Sequence, residues 1–103
     1  MKITITVFVF LLIFPLSVYS VDSELFAQGK KLSNKCVFCH GENGKAPNNI
    51  IPNLAGQNEA YLLKQLKDFR SRRRFNSAMR QVSMGLEVDE LKALAYYFSQ
   101  LSP

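Results

Sequence analysis

The chain predicts an all-α domain, on three observations. Apolar residues recur at helical spacing in three segments, no segment alternates as a strand does, and the stretches between are long and irregular. The first helix is read over Ser23 to Lys35, where Leu25, Phe26, Gly29 and Leu32 share a face, Ser23 stands as N-cap, and Lys30, Lys31 and Lys35 point outward. From Gly41 to Gly56, glycine, proline and asparagine crowd together without periodicity, so this is a long loop, of the kind that wraps around something. A second helix is read over Asn58 to Phe69, with Tyr61, Leu62, Leu66 and Phe69 on one side. Residues 70 to 86 read as basic and irregular. The last helix runs from about Val88 to Leu101 on Leu91, Leu94, Ala95, Phe98 and Leu101, and Asp89 and Glu90 in its first turn suit the helix dipole. The result is three main helices and two long loops, with no internal repeat.

The amino terminus is a different kind of segment. Met1-Lys2 is followed by an apolar run from Ile3 to Phe14, then Pro15 and Val18-Tyr19-Ser20, the layout of a signal peptide cleaved after Ser20. An uncleaved anchor is the alternative, since residues 3 to 19 approach the ~20 that span a bilayer. No cysteine lies near Ser20 to accept a lipid. Residues 21 to 103 then form the mature domain, short enough that its thin core needs a metal, a disulfide or another staple. The 13 Lys and Arg against 8 Asp and Glu become 12 against 8, or +4, once Lys2 is removed. A balance of that size suits an acidic protein or anionic lipid, and export sets nucleic acid aside.

The staple is sought among few residues. Cys36 and Cys39 are the two cysteines, and a bridge between them would close too small a loop to stabilise much. With Val37, Phe38 and His40 they form C-x-x-C-H, the pattern of covalent haem attachment. Two thiols at this spacing bond the two haem vinyl groups, and the adjacent imidazole reaches the iron from the same side. A thioredoxin-type dithiol expects a βαβ setting that is missing here, and a zinc site lacks a fourth ligand beside two Cys and one His. One covalent haem c supplies the apolar body around which short helices and long loops close.

With that motif in place, nearly all of residues 23 to 102 resembles a class I cytochrome c. The closer likeness is to one domain of the periplasmic carriers that occur singly or as tandem dihaem proteins. The likeness rests on Gly29, on Cys36-Val37-Phe38-Cys39-His40-Gly41, on Ile51-Pro52-Asn53-Leu54-Ala55-Gly56-Gln57, on Tyr61 to Leu66, and on Leu94-Ala95-Tyr96-Tyr97-Phe98. It implies that the Pro52 carbonyl orients His40 from behind, that Leu54 packs beside the haem, and that Gly29 lets the first helix cross the last near Tyr97. It also implies an axial methionine early in the segment before the last helix, which fits Met79, with Met84 as the second choice. A His/Met pair raises the reduction potential. Of the basic cluster Arg70, Arg72, Arg73, Arg74 and Arg80, the resemblance points to Arg74 as the partner of a haem propionate, and the remainder reads as a solvated face that steers an acidic redox partner.

Two axial ligands leave no open position at the iron, so the expected function is outer-sphere transfer of single electrons in the periplasm, with no enzymatic chemistry. Two alternatives stand beside it: a haem-bearing subunit of a periplasmic dehydrogenase or oxidase complex, and a five-coordinate haem protein that binds small gases.

Overall fold

The computed structural model describes residues 1–13 and 20–103. Among the described residues five helices follow one another: α1 (Val21–Leu32), α2 (Val37–His40), α3 (Glu59–Ser71), α4 (Ser77–Met84) and α5 (Val88–Gln100). A single 3-10 turn, Ser33–Lys35, joins α1 to α2, and no β-strand occurs among the described residues. Residues 1–13 are exposed and outside any helix. The cleavage region read from Pro15 to Ser20 lies outside the described residues up to residue 19. No helix among the described residues is long and apolar enough to cross a membrane.

α1 begins at Val21, with its cap three residues before the expected Ser23, and ends at Leu32, short of the expected Lys35. The Ser20 hydroxyl accepts the Ser23 N–H at 3.2 Å, so Ser20 is the cap in this chain. At the other end the Ser33 hydroxyl donates to the Lys30 carbonyl at 2.6 Å, and the backbone tightens into the 3-10 turn that delivers Cys36.

The core is centred on α5. Leu91, Leu94, Ala95, Tyr97 and Phe98 are buried there, with Leu62 of α3 and Leu86 against them and Phe26, Leu32, Leu54, Leu66 and Val82 around the margin. α1 crosses α5 at Gly29, where an added Cβ would fall on the Ala93 carbonyl oxygen and against the Tyr97 Cβ. The absent side chain is therefore what sets the distance between the two helices. The Phe26 and Tyr97 rings then meet with centroids 5.0 Å apart, tilted by 56°.

Two helices are absent from the sequence reading, the single turn α2 and the longer α4. Residues 77 to 84, expected to be irregular, form α4. Asn76 caps it, its Oδ1 accepting the Met79 N–H at 3.0 Å, and Val82 and Ser83 turn inward. Two turns carry too short a periodicity to stand out inside a basic run, and tertiary packing against α3 supplies what propensity does not.

Candidate functional site

α2 is one helical turn made of the motif's last four residues, Val37 to His40. Cys36 precedes it, its N–H donating to the Ser33 carbonyl at 2.8 Å, and the His40 N–H returns to the Cys36 carbonyl at 2.8 Å. Three residues of helix bring Cys36 and Cys39 to neighbouring places on one face. Gly41 ends the turn at φ 83°, where a side chain would collide with the backbone of Lys45, so the chain leaves His40 abruptly.

His40 is buried, at 7% exposure. Its Nδ1 lies 2.8 Å from the Pro52 carbonyl oxygen, twelve residues on. In the neutral tautomer that donates Nδ1–H to this carbonyl, Nε2 carries the lone pair with which imidazole ligates a metal. The loop holding Pro52 is tied down on both sides. Asn48 Oδ1 accepts the N–H groups of Ile50 and Ile51 at 3.0 and 3.2 Å, and Asn53 Oδ1 accepts that of Ala46 at 2.7 Å. Beyond Pro52, Leu54 and Ala55 donate to the Gly44 carbonyl, and Gly56 donates to the Phe98 carbonyl of α5 at 2.9 Å. Leu54 is half-buried against the core.

The Cys36 thiol is pushed up to about 11, by burial first; Lys35 lowers it and Cys39 raises it. A thiol so disposed stays protonated at neutral pH and is a poor nucleophile, unlike the depressed thiols of redox dithiols. Cys39 is exposed.

The two methionines differ in setting. Met79 sits in the first turn of α4, half-buried, on the side that also carries Val82 and Ser83. Met84 ends the same helix, 54% exposed on its outer side. Arg74 is engaged locally: its Nη1 donates to Gln65 Oε1 at 2.7 Å and its guanidinium lies 4.7 Å from the centre of the Phe69 ring. Arg80 is the residue that the sequence undervalued. Read as part of a solvated cluster, it is half-buried, and its Nε has no hydrogen-bond partner among the described residues. A buried guanidinium nitrogen without an acceptor is costly, and its one sequence signal is that it follows Met79 directly.

These residues fit a covalent haem. Two thiols and an imidazole come from one short segment, the imidazole's remote nitrogen is oriented from behind, and the orphaned Nε–H of Arg80, the residue after Met79, could donate to an anionic substituent. The family model described as cytochrome c matches residues 26–102. Cytochrome c4 of Thiocapsa roseopersicina is 41% identical over 69 residues, covering 67% of this chain and 35% of that protein. The cytochrome subunit of sulfide dehydrogenase of Chlorobaculum tepidum is 32% identical over 76 residues, covering 74% of this chain and 68% of that protein. The crystal structure of reduced cytochrome c4 from Pseudomonas stutzeri superposes with a TM-score of 0.71 at 35% identity, covering 77% of this chain and 49% of that one. The chain thus spans a third to a half of the length of the cytochrome c4 proteins that it matches.

Proposed function

Because the chain belongs to the cytochrome c family, with the electron-transfer role and covalent haem c that this entails, we propose that it is a periplasmic carrier of single electrons in which His40 and Met79 would hold the haem iron. Cys36 and Cys39 are the thioether anchors. Bound there, haem would supply one-electron redox chemistry. The surrounding residues do the rest. Pro52 accepts the proton-bearing Nδ1 of His40 and keeps the ring from rotating, which strengthens Nε2 as a donor. Leu54 and the apolar margin exclude water, Asn76 holds the turn that carries Met79, and Arg74 offers its remaining donors to a propionate. With His40 and Met79 both holding the group, neither would be free to act on a substrate.

The observation that carries this reading is the buried His40 with its Nδ1 at 2.8 Å from the Pro52 carbonyl. Spectroelectrochemistry of the haem-loaded protein tests it. A reversible one-electron wave with six-coordinate spectra in both states supports the carrier, and rapid carbon monoxide binding to the reduced protein supports the gas-binding alternative.

Residues 1–20 are read as a signal peptide and 21–103 as the mature domain. Cleavage after Ser20 would remove the cap of α1, and Ser23, three residues on, would take it over in front of Lys30 and Lys31. Partners are redox proteins with acidic docking surfaces, matching the +4 balance of the mature chain. The likeness to a sulfide dehydrogenase cytochrome subunit favours a second reading, that of a subunit held on a dehydrogenase. Native mass spectrometry of the protein purified from its periplasm separates a free domain from a complex.

A further inference from the structure

An open groove runs between α3 and the junction of α4 with α5, on a side of the molecule that Cys36, His40 and Pro52 do not line. Its floor is apolar, made by Ala60, Leu63, Met84 and Val88. Its rim carries Lys64, Lys67, Arg70 and Arg73 against a single acid, Asp68. Lys64 is already bonded to Asp68 at 2.6 Å, so Lys67, Arg70 and Arg73 face the groove without an acidic counterpart in its lining. Exposed methionine over such a floor adapts to varied apolar partners.

We propose that this groove docks an acidic segment of a redox-partner protein, which seats an apolar side chain on Met84 and Val88 beneath its carboxylates. The inference rests on the carrier reading above and gives its partner a place. Charge complementarity favours this occupant: a second copy of the chain would bring the same cations against these ones, and a bilayer is a flat surface that does not enter a groove. The position also suits electron transfer. Met84 is five residues along α4 from Met79, roughly 7.5 Å of helix rise, so a partner seated there lies close to Met79.

The test uses isotope-labelled, haem-loaded protein and three probes. These are a Glu-rich helical peptide with a leucine face, polyglutamate without apolar residues, and vesicles of phosphatidylcholine and phosphatidylserine. The peptide is expected to shift the amides of Leu63, Lys67, Met84 and Val88. Its affinity should fall about tenfold in the Lys67→Glu, Arg73→Glu double variant. Ala60→Gln, which lays a polar side chain on the floor, should weaken the leucine-faced peptide severalfold and leave polyglutamate unaffected. Shifts confined to the region of Phe38 and Ile50, unchanged affinity in the double variant, tighter binding to the vesicles, or self-association through these amides would each overturn the proposal. The wild-type absorption spectrum reports separately on the carrier reading: loss of methionine ligation there contradicts that reading, while the amide shifts report on the groove.

Discussion

The Nδ1 of His40 and the main-chain carbonyl of Pro52 are 2.8 Å apart, across twelve residues of loop. The acceptor belongs to the backbone, so what residue 52 contributes is the position of its peptide unit. Proline fixes φ at that unit without contributing an N–H, while Asn48 and Asn53 hold the loop around it.

Pro52→Ala should therefore keep the carbonyl and the bond to His40. The expected loss is about 0.4–1 kcal/mol of stability, from the greater freedom of the unfolded loop, with the visible spectrum unchanged. Urea unfolding of the haem-loaded variant, followed in the Soret region, measures it. A change of ligation instead would show that the ring itself positions the imidazole.

Covalent attachment has a chemical test. Acidified acetone should leave haem on the wild-type chain and on either single variant, Cys36→Ala or Cys39→Ala, each of which retains one thioether. The double variant should release it all. Release from the wild type would rule out thioether anchoring at these two positions.

Gly29 separates packing from propensity. In an exposed helix Gly→Ala stabilises by about 1 kcal/mol. Here the new methyl meets the Ala93 carbonyl and the Tyr97 Cβ, so Gly29→Ala should destabilise by about 1–3 kcal/mol. The urea midpoint should fall with its slope unchanged. A rise would mean that α1 and α5 are not in close contact in solution.

Much of this architecture is legible in the sequence. Leu91, Leu94, Ala95 and Phe98 announce α5 because three turns of a buried helix repeat the pattern often enough to be recognised. C-x-x-C-H is legible because its chemistry fits within one turn. α4 was not, since a two-turn helix is decided by the Asn76 cap and by packing on α3. Arg80 was hidden for a related reason: inside a run of arginines, burial of one Nε is a property of the neighbours that the fold brings to it. Met79 and Met84 both carry a thioether in the same segment, and only the helix between them puts one on the half-buried side and the other in the groove.

That difference leads to the most direct test of the central assignment, iron held between His40 and Met79. Oxidised Met79→Ala and Met84→Ala are compared by absorption spectroscopy in the near-infrared region of the iron–sulfur charge-transfer band. The account predicts that Met79→Ala loses the band and gains carbon monoxide binding when reduced, while Met84→Ala keeps the wild-type spectrum. Loss of the band in Met84→Ala with Met79→Ala intact, or its absence from the wild-type protein, would contradict it.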